Sequence, residues 1–495
     1  MSEHAPRLSL ADLDGLPTGA RPGYDPRDVN VGIVHLGIGA FSRAHQAVFT
    51  DEVLAADGGD WGICGVSQRS RTVPEQLGPQ DGLYTVLERD ADRPPRAQVV
   101  GAVREVRCAA DEPGVVLDRI GADTTRIVTL TVTEKGYRYD PGTGRLRDDP
   151  VIAGDLAGGD PTSVVGQLVR GLQQRLRSDA GPIAVVSCDN LSRNGTLLQG
   201  LVREFASLLP AGESTPLLDF IESHATFPKT MVDRIVPATT DADREEVARL
   251  LGRRDHAAVV AEPFSQWVIE DDFLVPRPAW ERVGVTITDD VDGYERVKLR
   301  LLNAAHSLIA YLGALAGYAT IAEALDDDAI LAATRRLLDE DQMPTLVAPD
   351  GLDLAAYRDE VLHRFANPAL GHRTTQVAMD GSQKLPQRLV GALREQRAAG
   401  GAAVHAALLV AAWMRVLAGH DDQGEALSVD DPMGDTIREM IAVDDAHLAA
   451  RRVLAMEDIF GAGMADDETF VTAVADWYDA LRSHGVLDTL RAVAG

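Results

Sequence analysis

The sequence predicts two domains of different class: an α/β domain with a parallel, doubly wound sheet over residues 1–288, then a mostly α-helical domain over residues 289–495. Three observations predict it. Short β-branched runs alternate with helical stretches through the first half. A strand, a Gly-x-Gly turn and a helix stand at the head of that alternation. From Val291 onward nearly every segment has helical periodicity. A chain of 495 residues is also long for one hydrophobic core.

Residues 1–30 are polar, carry Pro22 and Pro26, and read as an irregular lead-in. Residues 31–36 (VGIVHL) form the first strand, followed at once by Gly37-Ile38-Gly39-Ala40-Phe41 and a helical pattern to about Ala55. Gly37 suits a tight turn. Gly39 lets a pyrophosphate approach the backbone where Ala40 and Phe41 open the helix, a Rossmann-type arrangement in which Ser42 replaces the third glycine. A second strand spans 61–66. Dinucleotide folds that prefer NAD usually place Asp or Glu at its end for the ribose hydroxyls; here stand Ser67, Gln68, Arg69, Ser70 and Arg71. Arg69 and Arg71 could meet a 2′-phosphate, so NADP stays open beside NAD, and plain solvated arginines are an equal alternative.

Further strands are expected over 97–106, 126–133 and 183–187, with a helix over 161–177. Thr133, the Asp189-Asn190 pair and Asn194 sit at strand ends, where such sheets bind ligands, although turn chemistry is the favoured reading of Asp189 and Asn190. Asp233-Arg234, amid apolar neighbours, suggests a paired, partly buried couple, structural or functional. Residues 262–287, with three prolines, read as the passage between domains.

The second half is organised around residues 294–318, expected as one long helix. At about 100° per residue, with Lys298 at zero, Glu295 falls near 60°, His306 near 80° and Asn303 near 140°. Four polar side chains thus share one side of a helix whose tail is too apolar for a surface, and such groups need partners or a task. Helices are also expected over 321–340, 354–365, 387–398 and 402–418. Residues 372–388 concentrate His372, Arg373, Lys384 and Arg388 in an acidic chain and would suit an anionic group.

The net charge of −28 disfavours nucleic acid and anionic membranes as partners. Cys64, Cys108 and Cys188 form no metal or redox motif and suit a reducing compartment. No signal pattern and no apolar run of about 18 residues is seen, so a cytoplasmic protein is expected, as a monomer or weak oligomer.

Four motifs in matching order resemble the mannitol dehydrogenase family of polyol-specific long-chain dehydrogenases: Gly37-x-Gly39-Ala40-Phe41-x-Arg43-Ala44-His45, Thr131-x-Thr133-x-Lys135-Gly136-Tyr137, Phe227-Pro228-x-x-Met231-Val232-Asp233-Arg234-Ile235, and Lys298-x4-Asn303-x2-His306. The resemblance implies a Rossmann domain followed by a helical substrate domain, NAD as cofactor, and no metal. It implies that Lys298 is the general base, with its pKa lowered by burial. Asn303 and Asn194 hold the reacting oxygen, His306 orients the substrate hydroxyl, and Glu295 links proton exchange to solvent. Asp233 and Lys384 match substrate-contacting positions. The arginine that mannitol enzymes carry eight residues before that lysine is Gln376 here. The stretch from His372 to Arg388 resembles the fructuronate reductase branch instead, where Arg373 and Lys384 would receive a sugar-acid carboxylate. The resemblance therefore implies interconversion of D-mannonate and D-fructuronate, with oxidation of a neutral polyol such as mannitol or arabinitol as the alternative.

Overall fold

Six strands build the main sheet of the first part of the chain: β1 (Val31–Leu36), β2 (Gly62–Ser67), β3 (Val103–Cys108), β4 (Ile127–Leu130), β5 (Ile183–Ser187) and β6 (Ala225–Thr226). Across the sheet they run β6-β5-β4-β1-β2-β3, and every pairing is parallel. The chain winds outward from β1 through β2 and β3, then resumes on the other side of β1 with β4. Winding direction therefore reverses between β1 and β4, where the carboxyl ends of two neighbouring strands part and open a crevice. This is a Rossmann-type sheet. The computed structural model describes residues 5–494 and divides into two compact units, the first through Val291 and the second from Asp292.

A parallel sheet covered on both faces needs apolar residues on both sides of each strand. Accordingly all of β2 and β5 is buried. Alternate residues serve opposite faces, as strand geometry requires. Val34, Leu36, Ile183 and Val185 join a core with Val116, Leu168, Leu172 and Leu198, while Ile33, Ala184 and Val186 join another with Phe49, Val53 and Leu54. Each fully buried Val, Ile or Leu contributes on the order of 1.5–3 kcal/mol.

Two expectations for this unit are corrected. Residues 97–106 are not one strand. Arg96–Val100 pairs antiparallel with Tyr84–Glu88 in a separate sheet, and β3 begins only at Val103. The break falls at Gly101, where a Cβ would meet Pro26 at 2.6 Å and where the backbone N–H donates to the buried Asp51 carboxylate at 2.7 Å. Residues 262–287 are not a linker. Gln266–Glu270 pairs with Thr230–Asp233 and Thr286–Thr288, and Trp267 and Trp280 lie fully inside with their rings 4.7 Å apart.

The second unit is helical and built on a helix labelled α3 (Val291–Ala316); of the helices of the first unit only two take labels, α1 (Ala40–Ala44) and α2 (Gln46–Asp57). By length and composition α3 could cross a membrane, contrary to the expectation that no stretch is apolar enough. Its apolar window is 78% buried within the fold, so its apolar surface serves as core. Helices Val404–Leu417, Thr374–Ala378 and Asp328–Arg336 pack against it. The helix is continuous but not uniform. Lys298–Asn303 is a π turn, in which Ala304 N–H donates to Leu299 O, five residues back. Two more π segments, Leu337–Gln342 and Pro386–Val390, each pack against this one. Fewer than about 1% of residues in globular proteins adopt this geometry, and it concentrates at functional sites. The run expected as one helix over 321–340 is interrupted where Asp327 caps a new start by accepting from Ala329 N–H at 2.9 Å.

Burial pushes the Asp51 carboxyl up to about 6, outweighing its bonds from Tyr24 and Gly101. The folded chain thus binds this proton more tightly than the unfolded chain. The associated stability is complete below the ordinary carboxylate range and is lost as pH rises through about 6. In thermal melts from pH 4 to 7, Asp51→Asn should gain on the parent protein as pH rises, by at most about 1.4 kcal/mol per pH unit. A pH-independent difference would contradict a titrating carboxyl here.

Candidate active site

In the first unit the crevice between β1 and β4 is lined by the glycine turn. Gly37 has φ +98°, and its N–H donates to Val66 O at 2.8 Å. A Cβ there would stand 2.2 Å from Thr131 O, so sterics and backbone conformation both demand glycine. Gly39 is different: a Cβ would meet nothing nearer than Gly37 O at 3.8 Å. Its exposed face is open to a ligand that must reach the backbone. Ala40 and Phe41 form the first turn of α1, with Phe41 stacked on His45 at 5.0 Å.

The helix expected to run to Ala55 is two helices, because the chain turns sharply at His45 (φ −129°, ψ −88°). Buried donors hold the carbonyls freed by that turn. Tyr84 Oη donates to Arg43 O at 2.7 Å, and the Arg234 guanidinium donates to Ala44 O at 2.5 Å. Arg43 donates to Gly39 O at 3.1 Å and also to Ala257 O. Arg234 forms its ion pair with Glu88 at 2.8 Å, which makes this residue part of the frame. Beneath the turn, His35 bonds to Thr129 and Thr131 Oγ1 at 2.7 and 2.9 Å, and Thr131 donates to Gly37 O at 2.9 Å. Burial pushes His35 down to about 4, so it is a neutral strut.

The strand-end polar residues separate into distinct roles. The Asp189 carboxylate accepts from Val132 N–H and Thr133 N–H, both at 2.9 Å, and from Tyr137 Oη at 2.6 Å. It thereby holds Thr133 at φ +64°, a conformation uncommon for a β-branched residue, exposed where β4 ends. Asp189 is therefore more than the turn residue expected. Asn194, 1% exposed, donates through Nδ2 to Asp189 O (3.1 Å), Thr230 O (3.0 Å) and Thr230 Oγ1 (3.1 Å), and its Oδ1 accepts from Thr230 N–H at 3.0 Å. Its amide is committed to joining the strand ends. Beyond β2, Arg71 is engaged by Asp111 at 2.8 and 2.5 Å, whereas Arg69 is exposed and bonds to nothing among the described residues. Asp233 is buried at the end of Thr230–Asp233.

In the second unit, Lys298 is the first residue of the π turn and only 7% exposed; Asn303 is the last. In a π turn, residues i and i+5 take the relation that i and i+4 have in an α-helix. Asn303 is therefore brought back over Lys298, correcting the 140° separation expected of a regular helix. The Asn303 side-chain amide makes no hydrogen bond among the described residues, in contrast to that of Asn194. Glu295 lies half-buried one turn before Lys298.

His306 stacks on Phe365 at 4.5 Å and meets His372 edge-on at 4.8 Å. His306 Nε2 and His372 Nδ1 are buried without partners among the described residues. Burial, followed by His372, Arg388 and Lys384, holds His306 well below its ordinary range, so its ring is neutral. Among the described residues Lys384 Nζ donates only to carbonyls, those of Val377 (3.2 Å) and Met379 (2.5 Å), and burial followed by Arg388 pushes it down to about 8. Arg388 donates to Asn303 O at 3.3 Å and Ser307 Oγ at 2.9 Å, and burial pushes it down to about 10. Neither cation is in an ion pair among the described residues. Asp380 and Asp431 lie within electrostatic range, and Asp431 is occupied by Ser382 N–H (2.8 Å) and Met433 N–H (2.9 Å). Arg373, expected beside Lys384, is exposed at the head of Thr374–Ala378 and its side chain bonds to nothing among the described residues. Arg388 and His372 stand by Lys384 and His306 instead. Arg388 was legible in principle, being four residues after Lys384 and hence on the same helical face.

The two glycines should separate in their effects. Gly37→Ala should lower the melting temperature or the yield of folded protein. Gly39→Ala should melt like the parent yet bind NAD more weakly in calorimetric titration. Equal effects of the two would argue against Gly39 as the point of phosphate approach.

Comparisons with known proteins show the family. Residues 31–282 match the model of the mannitol dehydrogenase Rossmann domain, and residues 290–482 match that of the mannitol dehydrogenase C-terminal domain. The chain is 43% identical to the oxidoreductase YeiQ of Escherichia coli K12, covering 95% of this chain and 97% of that one. It is 41% identical to the D-mannonate oxidoreductase of the same organism, covering 96% and 98%. Among solved structures it resembles the ternary complex of Pseudomonas fluorescens mannitol 2-dehydrogenase with NAD and D-mannitol, at 38% identity, 99% coverage of both chains and a TM-score of 0.86. With both of its domains matched in order, this chain is an oxidoreductase of the mannitol dehydrogenase family.

Proposed function

We propose that the protein is an NAD-dependent secondary-alcohol dehydrogenase that interconverts D-mannonate and D-fructuronate. The observation that carries the choice of a sugar acid is the pair Lys384 and Arg388. These two partly buried cations, without ion pairs among the described residues, stand next to neutral His306 in a chain of net charge −28. Such a pair favours a carboxylate, with the guanidinium as a forked donor and the ammonium as a point charge. The 41% identity to a D-mannonate oxidoreductase supports the same reading.

In this reading Gly37, Gly39, Ala40 and Phe41 hold the dinucleotide, Gly39 by its open backbone, and Thr133 and Arg69 lie along its path. NAD, when bound, accepts the hydride from the carbinol carbon. Lys298 takes the hydroxyl proton, a task helped by its burial. The uncommitted amide of Asn303 donates to the oxygen as negative charge develops there. Neutral His306, with one ring nitrogen able to donate and the other to accept, orients the hydroxyl. Glu295 relays the proton toward solvent, and Asp233 contacts substrate. Asn194 supports the site by fixing Thr230 and does not itself hold the reacting oxygen.

A second reading, oxidation of a neutral polyol, is favoured by the likeness to mannitol 2-dehydrogenase. Initial rates on D-mannonate and mannitol, each with NAD and NADP, separate the two; a large preference for mannitol in kcat/KM overturns the sugar-acid reading. The charge on Lys384 also makes a distinction. The side chain is protonated below about pH 8 and loses its charge above it. KM for D-mannonate should therefore rise above that pH while KM for mannitol stays flat. Lys298→Ala should lose about 10²–10⁴-fold in kcat and regain part of it with small primary amines. Near-parental turnover removes Lys298 from the role of base.

A further inference from the structure

Inside the wide turn of α3 a buried arginine forms an ion pair with a half-exposed glutamate. Arg300, two residues after Lys298 and 7% exposed, lies inside the π segment. Its guanidinium grips Glu395 through two nitrogens at 2.6 and 2.7 Å, and donates to Thr345 O at 2.8 Å and Thr345 Oγ1 at 2.6 Å. These partners belong to different elements. Glu395 lies on Gly391–Ala398, which continues the π segment Pro386–Val390. Thr345 ends the short helix Met343–Thr345, which follows the π segment Leu337–Gln342, and its hydroxyl donates to Gln342 O at 2.6 Å. One side chain of this π segment therefore ties down the elements that directly follow the other two. A forked donor with four bonds at 2.6–2.8 Å fixes the rotation of the backbone that carries it.

A helix prefers the tighter i→i−4 pattern, so a π turn persists only where surrounding contacts over-determine it. Relaxation to a regular α-helix would return Asn303 from its place over Lys298 to about 140° away. We propose that Arg300, through Glu395 and Thr345, is a positioning residue for the reaction: the clamp holds the π turn and so sets Lys298 and Asn303 on one side of α3. The proposal rests on the roles given above to Lys298 and Asn303. The four side-chain bonds of Arg300 go to Thr345 and Glu395, which lie outside the cluster of His306, Lys384 and Arg388.

The test uses the full chain with D-mannonate and NAD. Arg300→Met removes the clamp. Glu395→Gln weakens it from its half-exposed end and leaves the buried side intact, so it reports even if Arg300→Met fails to fold. Thr345→Val removes one acceptor, and Thr345→Ser restores it. The expected result is a fall in kcat of up to about 10²-fold in Arg300→Met and Glu395→Gln, with KM for NAD unchanged. The acid limb of the kcat–pH profile should move upward as Lys298 loses its fixed surroundings, and Thr345→Ser should recover what Thr345→Val loses. Parental kcat in folded Arg300→Met or Glu395→Gln, with Lys298→Ala inactive, overturns the clamp alone. Equal losses in kcat, NAD affinity and melting temperature, with an unmoved pH profile, mark a merely structural residue and also overturn it. An active Lys298→Ala overturns the underlying reading of the site instead.

Discussion

The second unit depends on one constraint: its most apolar helix must carry ionisable groups through the core. Lys298, Arg300 and His306 lie on α3 beside a tail from Leu308 to Leu315 that is almost wholly inside. A charge or imidazole in such surroundings costs several kcal/mol unless it is bonded or neutral. Each group meets that condition differently. Arg300 receives a carboxylate and two threonine oxygens. His306 sheds its proton under burial and neighbouring cations and rests its ring on Phe365. Lys384 and Arg388, from the neighbouring segment, take backbone carbonyls and a hydroxyl, which satisfies donors without cancelling charge. What remains is a corner where Lys384 and Arg388 make no direct carboxylate contact among the described residues.

The first unit follows the same logic around its glycine turn. The turn itself has few side chains to hold it, so its carbonyls are held from below and behind. Thr131 reaches Gly37 O, Arg43 reaches Gly39 O, and Tyr84 and Arg234 take the carbonyls at the break after α1. Asp189 does the equivalent for the N–H groups of Val132 and Thr133. Buried polar groups here give the backbone its shape, and the exposed Gly39 and Thr133 present that shape outward. Packing of the sheet supplies stability; these bonds supply geometry.

Much of this was legible in the residues. The Gly37-x-Gly39 turn after a β-branched run marked the crevice, and strand–helix alternation marked the parallel sheet. The polar flank of α3 was visible as an anomaly of burial. Other features were not legible, for identifiable reasons. The angular positions on α3 assumed a regular helix, and a π turn leaves no sign in periodicity, because the contacts made inside it, such as that of Arg300 with Glu395, join residues up to 95 positions apart. Arg373 and Arg388 are alike in composition. Only the local path of the chain leaves the first in solvent and turns the second toward Asn303. Asn194 and Asn303 both carry amides, yet Thr230 engages the first while the second makes no side-chain hydrogen bond among the described residues.

Local chemistry in the sequence therefore determined which elements form, where a phosphate can approach a backbone, and that an apolar helix carries a lysine, an asparagine and a histidine. Tertiary structure alone decided which of those side chains are already satisfied, which cations lack a counter-ion, and how the helix is wound between Lys298 and Asn303. The physical reason is that hydrogen-bond saturation, desolvation and helix pitch depend on neighbours brought together from distant parts of the chain, and those neighbours do not exist until the core closes.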